Sequence, residues 1–126
     1  MNLAKVIEMA DELRDNEVPP KTKAVWIYAL DGQLRNDVVS LYEDELPWPD
    51  YDEDEEPENF EAYDTMIPAP YDGMYVNYLV ARIDLYNGDI DRYNNEAALF
   101  ERQKQDWANY YNRTHRWRNP TPGLRF

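Results

Sequence analysis

Residues 72–111 read DGMYVNYLVARIDLYNGDIDRYNNEAALFERQKQDWANYY, and two helices with the turn between them are legible in these letters alone. Asp72 is a natural N-cap, because a short carboxylate can accept from the free N–H groups of a helix's first turn. Tyr75, Leu79, Ile83 and Tyr86 then recur at three- and four-residue steps, the repeat that lines one face of an α-helix. Asn87-Gly88 stops that helix and Asp89 caps the next. Ile90, Tyr93, Ala97, Phe100, Lys104, Trp107 and Tyr111 continue at the same spacing. Lys104 is the polar intruder in this stripe and is expected to snorkel, its stem on apolar neighbours and its amine in water. So short a break between two amphipathic helices predicts an antiparallel helical hairpin.

Upstream, Leu3, Val6, Ile7, Ala10 and Leu13 mark an amphipathic helix that Asn16, Pro19 and Pro20 end. A second stripe follows: Val25, Trp26, Ala29, Leu30, Leu34, Val38 and Leu41. It spans Asp31-Gly32, where a kink or a break into two helices is expected. Between these parts lies an insertion, residues 43–70, holding Pro47, Pro49, Pro57, Pro68 and Pro70. It cannot continue a helix and has few apolar groups to bury. Tyr51, Phe60, Tyr63 and Met66-Ile67 are the residues able to pin it to the body. Downstream of the hairpin, residues 113–126 carry Arg113, Arg116, Arg118 and Arg125 with no acid, and Pro120, Pro122 and Gly123 favour an extended tail. The expected fold is all-α: one domain, residues 1–126, a small helical bundle with a C-terminal hairpin, a long acidic Pro-rich insertion and a basic tail.

At 126 residues the chain has room for one core. It carries 26 Asp and Glu against 13 Lys and Arg, a net charge of −13. Twelve of the acids fall between Glu43 and Asp64, without one Lys or Arg, so the rest of the chain is nearly neutral. This balance opposes a stable grip on DNA, RNA or anionic lipid, since phosphate binding needs the opposite sign. The absence of Cys excludes disulfides and thiol chemistry, and a single His, His115, excludes His-pair metal sites. No apolar run reaches the roughly 18 to 20 residues that span a bilayer, and the N-terminal stretch, with acids at Glu8, Asp11 and Glu12, lacks the apolar core of a signal peptide. The setting so far is cytosolic.

No motif points to an enzyme. Nucleophilic catalysis needs an activated Ser, Thr or Cys beside a base. Ser40 is the only Ser and reads as mid-helix, far in sequence from His115. The four glycines are scattered as helix punctuation rather than gathered as a phosphate cradle. Asp84, Asp89 and Asp91 flank the Asn87-Gly88 break, where capping and solvation account for them. Asp50, Asp52, Asp54, Glu56, Glu58 and Glu61 fall on the ligand register of an EF-hand loop, but Glu55 stands where the turn needs Gly and Pro57 follows two residues later. No catalytic residue, metal site or cofactor is expected. The run His115-Arg116-Trp117-Arg118 suits stacking on nucleic acid or docking on an acidic protein surface, and the net charge favours docking. Tyr75, Tyr78, Tyr86, Tyr93, Tyr110 and Tyr111 lie on more than one face of the hairpin, which fits either a Tyr-rich core or a surface buried between subunits. Candidate partner-binding residues are Arg113, Arg116, Trp117, Arg118, Tyr78, Tyr86 and Tyr110.

Pro68-Ala69-Pro70-Tyr71-Asp72, Tyr75, Tyr78-Leu79, Ala81, Ile83-Asp84, Asn87-Gly88, Asp91-Arg92-Tyr93-Asn94-Asn95, Phe100 and Tyr111-Asn112-Arg113-Thr114-His115 form a recognisable pattern. Together with Trp26 and Leu30-Asp31-Gly32-Gln33, it resembles a family of small proteins of tailed bacteriophages and prophages encoded among head and head–tail joining genes. The match is tight over roughly the last fifty residues and loose over the first forty. The resemblance implies an all-helical adaptor that forms a homo-oligomeric ring under the portal, contacts the portal and other head–tail joining proteins, and resides in the virion after assembly in the host cytoplasm. It brings no catalytic residues. A negative lumen around passing DNA, and an acidic and a basic segment meeting between identical subunits, are compatible with it. The alternative from another class is an acidic DNA mimic or inhibitor-type binding protein.

Overall fold

The computed structural model describes residues 1–42 and 62–116. Its elements are α1 (Leu3–Leu13), α2 (Pro20–Asp37), a 3₁₀ turn (Val39–Leu41), α3 (Gly73–Tyr86) and α4 (Ile90–Thr114). This is a small all-α fold. The α3–α4 hairpin forms its spine; α1 packs on α3, and α2 packs against α1 and α3.

The hairpin turn is closed by backbone geometry. Gly88 takes a φ of 78°, a left-handed conformation that costs glycine little because it has no Cβ. That lets Gly88 N–H donate to the Leu85 carbonyl at 3.1 Å and Asp89 N–H to the Asp84 carbonyl at 2.9 Å, the paired bonds of a Schellman motif. Asp89 caps α4 through Arg92 N–H, as its position suggests. Asp72 departs from expectation. It sits at the N-cap of α3 but makes no capping bond. Its backbone is already α-helical, with φ −69° and ψ −15°, whereas a capping side chain reaches back from extended backbone. Its carboxylate lies 3.7 Å from the Met1 amino group instead.

Leu79 and Ile83 of α3 join Phe100, Trp107 and Tyr111 of α4 in one buried cluster, with Leu3, Val6, Ile7 and Ala10 of α1. The Tyr111 ring meets Trp107 at 5.4 Å and Tyr42 edge-on at 5.1 Å. Lys104 snorkels: its amine lies 5.8 Å from the Phe100 ring centre and 3.1 Å from Glu101. The outer stripe positions Leu13, Tyr86 and Ile90 are exposed.

The second helix decides one open alternative and corrects the expected stripe. α2 runs through Asp31-Gly32 without a break. An interior glycine costs about 1 kcal/mol against alanine, and the burial of Leu30 and Leu34 on either side offsets that. Its buried face is also rotated. Of the expected stripe only Leu30 and Leu34 are buried, while Ala29 and Leu41 are exposed. The buried face is Lys23, Ala24, Ile27, Tyr28, Asp31 and Arg35 beside those two leucines. Three charged residues therefore face inward, which an apolar-only pattern cannot register. The helix stops at Asp37, so Ser40 lies in the 3₁₀ turn rather than mid-helix and donates to the Asn36 carbonyl at 2.8 Å.

Of the expected insertion, residues 62–70 belong to the body. Asn2 and Asp64 form an antiparallel bridge: Leu3 N–H donates to the Tyr63 carbonyl and Thr65 N–H to the Met1 carbonyl, each at 2.9 Å. Ile67 is fully buried, and Tyr63 and Met66 pack on the core. Tyr51, Phe60, the acidic run from Glu43 to Glu61 and its EF-hand register lie outside the described residues.

Candidate functional site

Two polar constellations stand out, and they differ in kind. The first is centred on Asp31, which is 2% exposed. Tyr63 and Tyr75 each donate a hydroxyl to its carboxylate at 2.5 Å, and Met66 N–H donates at 3.0 Å. The Tyr75 hydroxyl also accepts from Ile67 N–H at 2.9 Å. Burial raises the Asp31 pKa, against the lowering effect of Tyr63, Tyr75 and Met66. Burial and the neighbouring carboxylate push both tyrosines up as well. Every donor here comes from α3 or from the segment that returns beside α1, so the node is a latch holding that segment to the bundle.

The second lies where α1 ends beside the hairpin turn. Arg14 reaches across from the end of α1: its Nε donates to Asp84 Oδ1 at 2.9 Å and its Nη2 to Glu96 at 3.4 Å. It thereby ties α1 to α3 and α4. Asp84 is 2% exposed, and its Oδ2 is buried with no hydrogen-bond donor. Asp84 is therefore a buried ion-pair member, not the solvated capping residue its sequence position suggests. Leu13, Arg14, Asp15, Asp84, Asp89 and Arg92 line an open cleft of about 420 Å³, which Glu12 and Asn87 complete. Arg14 and Arg92 are already paired, the latter with Asp89 at 3.3 Å, whereas Glu12 and Asp15 have no cationic partner among the described residues. The cleft thus keeps an excess of negative charge. Leu13, which lines it, and Leu85, Tyr86 and Ile90, which flank the hairpin turn in sequence, are 56%, 42%, 61% and 53% exposed.

The seven residues singled out from sequence fall in separate places. Tyr86 is exposed at the hairpin turn. Tyr110 is exposed at the other end of α4, its ring 5.1 Å from Tyr71. Tyr78 is half-buried, its ring 5.0 Å from Phe100, so much of it serves the hairpin itself. Arg113 and Arg116 are exposed near the end of α4. Trp117 and Arg118 lie outside the described residues. His115, the C-cap of α4, stacks on Tyr111 with ring centres 3.6 Å apart. Asp31, Lys23 and Arg14 were not read as site residues, and Asp84 was read only as a capping, solvated acid. Their signal is faint: charged residues at helical registers otherwise occupied by apolar ones.

Among the described residues, no group of three or more His, Asp or Glu is placed to hold a metal ion, and no helix is long and apolar enough to cross a membrane. Comparison with known proteins finds no matching family model, no similar curated protein and no similar solved structure.

Proposed function

We propose that this chain is a structural protein of a tailed phage or prophage that joins head to tail, acting as a ring of identical subunits between the portal and the tail. The observation that supports this reading is the end of the bundle at the hairpin turn. Four large apolar side chains are exposed there, Leu13 in the lining of an acidic cleft and Leu85, Tyr86 and Ile90 on the residues flanking the turn. Exposed apolar side chains gathered at one end of the bundle beside charged groups suit a contact with another protein. The setting in this reading, the virion after assembly in the host cytoplasm, is taken from the resemblance in sequence to head–tail joining proteins. In this reading the protein works by contact rather than by catalysis, and DNA passes it without being held.

The test is made on assembly. Deleting the gene is expected to give filled heads and free tails in the same lysate. Infectious tailed particles from the deletion overturn the connector role. Alanine at Arg116, Trp117 and Arg118 is expected to leave the chain folded and still block joining. Normal particles from that variant overturn the tail's part in it.

A further inference from the structure

We infer that the acidic cleft between the end of α1 and the α3–α4 turn is a receptor for the Trp117-Arg118 segment of a second copy of this chain. Arg118 would enter the cleft and Trp117 would lie on the apolar rim. The inference rests on the self-assembly reading above and gives it an address.

The cleft asks for a cation with several donors. Glu12 and Asp15 lack cationic partners among the described residues, and Asp84 Oδ2 is a buried acceptor without a donor. A buried carboxylate oxygen left without a hydrogen bond is costly. A guanidinium presents a planar fork of N–H groups that matches carboxylates better than an ammonium does. Asp84 Oδ2 is occluded beside the Arg14–Asp84 pair, so the incoming guanidinium is met first by Glu12 and Asp15, the exposed carboxylates of the cleft. The rim offers the second half of the match. Leu13, Leu85, Tyr86 and Ile90 suit an aromatic side chain next to the base, and Trp and Arg are the residues that most often dominate protein contacts. In this sequence Trp117 and Arg118 are adjacent, in a stretch of four arginines without an acid.

Geometry decides which copy supplies the segment. α4 starts at the cleft, where Asp89 and Arg92 line it, and its 25 residues carry the chain about 37 Å away. An extended chain covers at most about 3.6 Å per residue. Between Thr114 and Arg118 there is thus about 14 Å of reach, too little to return to the cleft of the same molecule. A tail from one copy in the cleft of the next is a head-to-tail contact, which closes into a ring or runs on as a filament.

The test titrates a synthetic peptide of residues 113–126 into the full-length chain by calorimetry, with amide NMR shifts to locate it. Saturable binding that shifts Asp84, Asn87 and Asp89 is expected. Glu12→Gln with Asp15→Asn, both at exposed positions, should weaken it by about fivefold. Glu101→Gln with Asp106→Asn makes the same charge change elsewhere on exposed α4 and should weaken it less than about twofold. Peptides carrying Arg118→Gln or Trp117→Ala should lose most of the affinity. Equal weakening by the two protein variants overturns the inference, as does no binding at low salt. It is overturned too if binding survives in the cleft variant but disappears when the acids of residues 43–61 are neutralised. A failed titration beside free tails from the gene deletion removes this address and leaves the connector role standing.

Discussion

Asp31 draws three donors from two other segments, Tyr63 and Met66 on one and Tyr75 on the other. Replacing it with alanine leaves the Tyr63 and Tyr75 hydroxyls and Met66 N–H without an acceptor. Each orphaned buried donor costs on the order of 1–3 kcal/mol, with partial relief where solvent reaches Tyr63. Asp31→Ala is therefore expected to lose about 3 kcal/mol in urea unfolding. Tyr75→Phe loses the bond to Asp31 and strands Ile67 N–H, for about 2 kcal/mol. The pH dependence has a definite sign. Burial raises the Asp31 pKa above its ordinary 3.8, so between the two values the folded state holds more protons than the unfolded one. Stability from this group is full below that window and falls as pH rises through it. Other carboxylates titrate over the same range, so the check is a difference: the stability gap between the native chain and Asp31→Asn should narrow as pH rises from 4 to 7. A gap that widens shows that the three donors outweigh burial.

At the scale of elements, legibility followed the chemistry of the buried face. α1, α3 and α4 bury Leu, Ile, Val and aromatic side chains at helical spacing, and the sequence shows them at once. α2 buries Lys23, Asp31 and Arg35, each of which an apolar pattern scores as surface. Lys23 is 2% exposed because Asp11 and Asn16 accept from its amine at 2.6 and 3.1 Å; those partners are twelve and seven residues away and cannot be inferred without the fold. The acidic cleft was hidden for the same reason, since Arg14 and Asp84 are seventy residues apart. The hairpin turn was the most legible feature, and it can be tested as an element. A Cβ at Gly88 meets nothing within 4 Å, so its cost is confined to the backbone φ of 78°. Gly88→Ala is expected to lose about 1 kcal/mol, and Gly88→Asn less, because Asn tolerates the left-handed region. On the facing side of the hairpin, Trp107→Ala empties a fully buried site and should cost about 3–5 kcal/mol. If Gly88→Ala cost as much as Trp107→Ala, the turn would have to be packed in a way its open surroundings do not show.

For the whole molecule the governing quantity is charge. The chain carries a net −13, and eleven of its acids fall between Glu43 and Glu61 without a compensating base. Such an imbalance opposes the compact state through self-repulsion. The opposing contribution comes from exposed ion pairs such as Lys5–Glu8, Arg92–Asp89 and Lys104–Glu101, which are near neighbours on their own helices and worth little each. Salt screens both: the Debye length falls from about 30 Å at 0.01 M to about 8 Å at 0.15 M. Long-range repulsion among many like charges is screened more strongly over that range than the attraction within pairs at 3–4 Å. Thermal unfolding is therefore expected to shift upward by about a few degrees between those two salt concentrations. Converting the acids of residues 43–61 to Asn and Gln brings the net charge close to neutral and should flatten the response. A midpoint that falls with salt would mean that surface pairs outweigh the acidic segment. A rise that persists after neutralisation would place the repulsion in the cleft, where Glu12, Asp15, Asp84 and Asp89 face two arginines. A basic segment from a second copy would relieve it there, so in that case the salt response should also diminish as protein concentration rises.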